Sequence, residues 1–223
     1  INKNLWRLLF FYMIVSTLAV VIALNKGKSP SIYFDEGGIM TWFSFIQLLI
    51  CSGIAFMIFQ LRKKQSQINR KNGNSATLWL IIAIGFIFLS LDEILALHEQ
   101  ADHLIHNIFN LTETGLTDRI DDLIVGLYGL LAIILLYFNR EELKKYKKAL
   151  PTFFGGFVVL FAMVILDIVS NRADIFSLFI NNASTANSLK DWFGIIEEIF
   201  KLFAEALFIR AFYFCLQISR RVS

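Results

Sequence analysis

All three histidines of the chain, His98, His103 and His106, fall in one short stretch, and acids surround them: Asp92, Glu93, Glu99 and Asp102. Carboxylates with imidazole suit Zn, Mn or Fe, and thiolates are not needed. His98/Asp102 and Glu99/His103 are each spaced i,i+4, which puts two ligands on one helical face. If a single helix runs through this stretch, Asp92 and Glu99 differ by only about 20° in phase, His103 falls close to the same line, and His106 is about 40° away. A second set repeats every seven residues: Asp191, Glu198 and Glu205 share a face. Lys201 lies within about 60° of it and can pair with Glu197, Glu198 or Glu205. Asp167 stands between the two sets. The pattern predicts a site in which Asp92, Glu99, His103 and Asp167 hold a divalent metal. Glu93 or Glu198 would act as general base on a metal-activated water. His98, Asp102, His106, Lys201 and Glu205 would complete the pocket.

Known motifs do not sharpen this. The H-E-x-x-H pattern of zinc proteases fails, because position 102 is Asp and the next His is at 103. The Glu-x-x-His pair of di-iron bundles fails for the same reason, since Asp102 follows Glu99 by three. Membrane hydrolases of the alkaline ceramidase and adiponectin receptor type carry His on separate helices, and here no His lies outside one.

The elements that must position these residues are membrane spans. Of 223 residues, 57% are hydrophobic and only 17% charged. Soluble domains hold about 25% charged residues, so a soluble enzyme and a nucleic-acid-binding domain are excluded. Disorder is excluded by 23 Phe, and a disulfide scaffold by two Cys. With only two Pro, long uninterrupted helices follow. Crossing a bilayer core takes about 20 apolar residues. Six segments answer to that: 5–24, 39–61, 76–97, 122–138, 151–169 and 192–216. Their apolar runs are continuous rather than alternating, against a barrel. The first is too long for a signal-peptide core of about 7–15 residues and reads as a retained span. The chain starts at Ile1 rather than Met, which leaves room for residues upstream.

Charge sets the orientation. Arg62, Lys63, Lys64, Arg70 and Lys71 follow the second span, Arg140, Lys144, Lys145, Lys147 and Lys148 follow the fourth, and Arg220 and Arg221 follow the sixth. By the positive-inside rule a six-helix bundle has both termini in the cytoplasm. The expected setting is a bacterial inner membrane. The acids gather at the opposite end. Asp35 and Glu36 precede the second span, and Asp121 and Asp122 open the fourth. At 1.5 Å per residue, Asp92 lies about 24 Å along the third span, and Glu205 lies about 20 Å in from the outer face.

Asp92, Glu93, Asp167, Glu197, Glu198 and Glu205 all fall inside nominal spans. Each charge buried in lipid costs about 2.5–3.5 kcal/mol on translocon scales. They must therefore face one another, water, cations, or the available partners: Lys201, the His, and Arg119 or Arg172 from the rim. Acids outnumber fixed cations, which calls for protons or a bound cation. The leading expectation is a single transmembrane domain with an outward-facing metal site, a metal-dependent hydrolase acting on a small molecule or lipid near the outer leaflet. The chief alternative is a proton- or cation-coupled transporter using Asp92, Asp167, Glu198 and Glu205. A further alternative is an accessory subunit whose polar pocket holds a partner or lipid headgroup, or a plain polar cap at a wet interface.

Overall fold

The computed structural model describes residues 3–34, 37–69, 74–111, 120–170, 180 and 182–222. Asp35, Glu36, Arg70, Lys71, Arg119 and Arg172, and the side chain of Asp122, lie outside the described residues. The apolar runs form α-helices α1 (Lys3–Asn25), α2 (Ile39–Asn69), α3 (Asn74–Leu95), α4 (Leu97–Phe109), α5 (Ile120–Phe138), the single turn α6 (Arg140–Leu143), α7 (Leu150–Ser170) and α8 (Ala183–Val222). Short 3-10 turns cover Pro30–Tyr33 and Lys144–Tyr146. No strand occurs among the described residues.

Each expected span is a helix, with two changes. The third ends at Leu95, because Ala96 takes a left-handed backbone with φ 47° and ψ 50°. A residue with a Cβ rarely adopts that region, and it breaks the helical phase. The last helix runs for 40 residues, about 60 Å, roughly twice a bilayer core.

Four helices are long and apolar enough to cross a membrane: Trp6–Asn25, Ile39–Gln67, Ala76–Leu95 and Leu150–Ile168. A fifth joins them if Leu123–Phe138 and Arg140–Tyr146, bent by 76°, count as one broken span. α8 is not among them, since it carries Asp191, Glu197, Glu198, Lys201, Glu205 and Arg210. Phe138, Phe154, Phe161 and Ile133 point outward. Such apolar outer faces suit a lipid surround, which makes this a membrane protein.

The most polar long helix is the spine. α8 packs against α1, α2 and α7, and α2 also packs on α3. One core joins Cys51, Ile54 and Ile58 of α2 and Trp79 of α3 to Ala204, Phe208, Phe212 and Cys215 of α8. A second joins Tyr12 and Ala19 of α1 and Met40 of α2 to Ile195, Leu202 and Ala206. Ala204, Ala206 and Ala211 are buried at these contacts. Small residues let helices approach where lipid supplies no hydrophobic drive. Gly156 of α7 shows the same need: a Cβ there would stand 2.8 Å from the Phe208 ring.

Side-chain pairs fix the directions. Ser52 bonds the Ala83 carbonyl, while Arg62 and Trp79 meet on the Glu142 carboxylate, so α2 and α3 run antiparallel. Ser44 meets Glu205 while Gln65 meets Ser219, so α2 and α8 run parallel. Phe153 meets Phe212 and Phe157 meets Phe208, so α7 opposes α8. The Lys and Arg clusters therefore collect at one end of the bundle.

A buried knot closes that basic end. The Arg62 guanidinium pairs with Glu142 at 2.8 Å, and Lys145 bonds the same carboxylate. Trp79 Nε1 donates to Glu142 at 3.4 Å, and the Tyr146 hydroxyl does so at 3.3 Å. Tyr146 also meets the Ser219 hydroxyl at 3.0 Å. One carboxylate, 4% exposed, thus ties α2 and α3 to the stretch 140–146, and Tyr146 extends the tie to α8. Burial alone would raise the Glu142 carboxyl, but Arg62 and Lys145 outweigh it and hold it below its ordinary range.

Candidate functional site

α3 and α8 do meet at the acidic end, through a lysine. Lys201 Nζ donates to Glu93 Oε1 on α3 at 2.8 Å and to Glu198 Oε1, one turn back on α8, at 2.8 Å. All three side chains are largely buried, at 16–18% exposure. One turn further along the same face, Glu205 is 5% exposed. Ser44 Oγ donates to its Oε1 at 2.6 Å, and Gln47 Nε2 to its Oε2 at 3.2 Å. Gln47 Nε2 also reaches the Leu202 carbonyl at 3.4 Å. Its own Oε1 is buried and has no hydrogen-bond partner among the described residues.

The sequence dictates this arrangement locally. Glu198, Lys201 and Glu205 are spaced i, i+3 and i+7, so they form one stripe on α8. Ser44 and Gln47 are spaced i,i+3 on α2 and face that stripe because α2 packs on α8. Glu93, near the end of α3, reaches across from the third helix. The result is three carboxylates around one ammonium, lined by a hydroxyl and an amide.

The other acids and histidines divide into separate pairs. Asp92 turns to the break at Ala96, where it accepts from the His98 backbone N–H at 2.8 Å and lies 3.1 Å from His98 Nδ1. It thereby caps the first turn of α4. Asp102 and His106 pair along α4 at 2.8 Å. His103 is exposed, and Glu99 is half-buried on the same helix. Asp167 is half-buried near the end of α7. The stripe expected from Asp92 through His106 does not form, because the left-handed residue at 96 resets the phase between α3 and α4. Among the described residues no three His, Cys, Asp or Glu side chains gather as a metal-binding group. Asp191, at the outer end of the α8 stripe, accepts from Ser29 Oγ at 2.6 Å and ties α8 to the turn after α1.

Of the expected site residues, the structure gathers Glu93, Glu198, Lys201 and Glu205. It places Asp92, His98, Asp102 and His106 in separate pairs. Sequence reasoning missed Ser44 and Gln47. Their signal was present: two polar residues one turn apart in a span that carries no charge. It also missed the Arg62–Glu142 knot, whose acid sits in a loop that reads as a topology signal.

No curated protein and no solved structure matches the chain. A family model, described as a domain of unknown function (DUF8692), matches residues 8–216, the whole stretch from α1 into α8. The chain belongs to that family.

Proposed function

We propose that this protein takes up a proton or small cation at Glu205, as the ion-binding step of a coupled membrane carrier. The observation that carries the reading is the excess of carboxylates: Glu93, Glu198 and Glu205 surround one ammonium, Lys201, inside the helix bundle. Intramembrane carboxylates of this kind mark ion sites and proton relays. Lys201 is shared by Glu93 and Glu198 at equal distance, and among the described residues the hydrogen-bond partners of Glu205 are neutral. A proton or cation supplies the missing charge. Gln47 Oε1 and the Ser44 hydroxyl stand beside it as oxygen ligands.

The same reading has six crossings with both termini in the cytoplasm. Its support is the direction of the helices and the collection of Lys and Arg at one end. α8 crosses in spite of its charges because Glu198, Lys201 and Glu205 face the interior, and α5 crosses alone while α6 lies at the basic end.

Flux into proteoliposomes of the purified chain tests this. With a pH-sensitive dye trapped inside, an imposed proton, Na⁺ or K⁺ gradient should drive flux above that of empty vesicles. Glu205→Gln should abolish it. Wild-type vesicles no leakier than empty ones for all three ions would sink the proposal.

A further inference from the structure

α1 and α7 each pack on α8. Between them opens a groove of about 440 Å³, lined by Trp6, Leu9, Pro151, Gly155, Leu207 and Arg210 among others. It lies toward the basic end, since Trp6 and Pro151 stand in the first turns of α1 and α7. Trp at such a level is typical of the headgroup belt. The groove is a true opening and not a packing requirement. A Cβ added at Gly155 would meet nothing within 4 Å, whereas its neighbour Gly156 is closed by Phe208.

Among the described residues Arg210 is the one charged residue lining it. Its guanidinium lies over the Phe214 ring, 4.7 Å from the centroid. Among the described residues no carboxylate lies within ion-pair distance of it. Lys201 on the same helix has two. A guanidinium in an apolar lateral groove, without an acid of its own, needs an anion that arrives with apolar chains attached.

We propose that this groove binds an anionic phospholipid of the adjoining leaflet, with its phosphate on Arg210 and an acyl chain along Leu9, Gly155 and Leu207. Guanidinium offers a bidentate fork to phosphate oxygens. Basic pockets between helices on the cytoplasmic side suit anionic headgroups. A zwitterionic lipid would bring its own ammonium beside Arg210, so the net-negative headgroup is favoured. The inference rests on the membrane setting alone. It stands or falls separately from ion uptake at Glu205.

Native mass spectrometry of the full chain, released from neutral detergent with equal phosphatidylglycerol and phosphatidylcholine, tests it. Wild type should retain phosphatidylglycerol about fivefold over phosphatidylcholine, the factor expected of one arginine near an anionic headgroup. Arg210→Gln should lose the preference and Arg210→Lys should keep it. Gly155→Leu fills the groove without touching Arg210 and should lose retention of both lipids. Circular dichroism confirms the fold of each variant. If Arg210→Gln does not fold, the lysine and leucine variants decide the matter. Equal retention of the two lipids by wild type would overturn the proposal. So would a preference that survives Gly155→Leu, or a lipid-free dimer that Gly155→Leu disrupts.

Discussion

Replacing Lys201 by Met is the sharpest perturbation the bundle offers. It keeps the length and apolar stem of the side chain and removes only the ammonium. Two charge-assisted hydrogen bonds of 2.8 Å are lost, each worth about 1.5–3 kcal/mol. Glu93 and Glu198 are then left facing each other. Breaking a buried ion pair costs about 3–5 kcal/mol. These side chains keep 16–18% exposure, so some water screens the loss, and about 2–4 kcal/mol is expected. Glu93→Gln should cost less, about 1–2 kcal/mol, because Lys201 keeps Glu198 as its partner. The double variant should cost less than the sum, with a coupling of about 1–2 kcal/mol. Reversible unfolding in mixed micelles, with rising sodium dodecyl sulfate and readout by circular dichroism, gives all four free energies. The threshold is set by ordinary interhelical hydrogen bonds, which average about 0.6 kcal/mol in membrane double-mutant cycles. A Lys201→Met cost under about 0.5 kcal/mol, or a cycle additive within that margin, would refute the claim that Lys201 holds α3 to α8 through Glu93 and Glu198.

The remaining predictions concern the basic end and the α7–α8 contact. Arg62 and Lys145 hold the Glu142 carboxyl below its ordinary value near 4.5. A depressed carboxyl adds stability that is present above its unfolded value and lost as pH falls through the folded one. Thermal unfolding should therefore show the Arg62→Met penalty in full at pH 7 and shrinking below about pH 4.5, whereas a pH-independent penalty would count against the ion pair. Gly156→Ala should destabilise by about 1–3 kcal/mol, since its Cβ would stand 2.8 Å from the Phe208 ring. Gly155→Ala, with open space around it, should be neutral or slightly stabilising, and equal effects at the two glycines would contradict the packing of α7 on α8.

How far the sequence could be read depended on range. Continuous apolar runs placed each helix to within a few residues at most ends, because span length is set by the bilayer and not by tertiary context. The seven-residue spacing on α8 likewise put Glu198 and Glu205 on one face, and it left Glu197, Glu198 and Glu205 as candidate partners of Lys201, of which Glu198 bonds it, together with Glu93 from α3. The histidine stripe was not legible. It assumed a continuous helix through residue 96, and nothing in Leu95-Ala96-Leu97 announces a left-handed backbone. With neither Gly nor Asn at that position, the turn is imposed by what surrounds it, and Asp92 capping His98 is part of that. The partners of Glu205 were hidden differently. Ser44 and Gln47 lie more than 150 residues away, and local spacing on α8 says nothing of which helix packs across it.

Composition alone discounts α8 as a span, yet the bundle is built around it. The two facts share one cause. In lipid, a helix that is apolar all round has no reason to sit at the centre, since hydrocarbon serves it as well as protein does. A helix bearing Glu198, Lys201 and Glu205 has nowhere else to go. Those charges meet Glu93 from α3 and Ser44 and Gln47 from α2. Its intervening alanines admit those neighbours closely. The outer helices can then remain smooth and greasy, and α5 and α7 present Phe and Leu outward. Arg210 is where this logic is left incomplete by protein alone. Among the described residues it is the one charge lining an opening between α1 and α7, with an aromatic ring beside it and no acid within ion-pair distance. The anionic lipid proposed above would supply the match that the described protein groups do not.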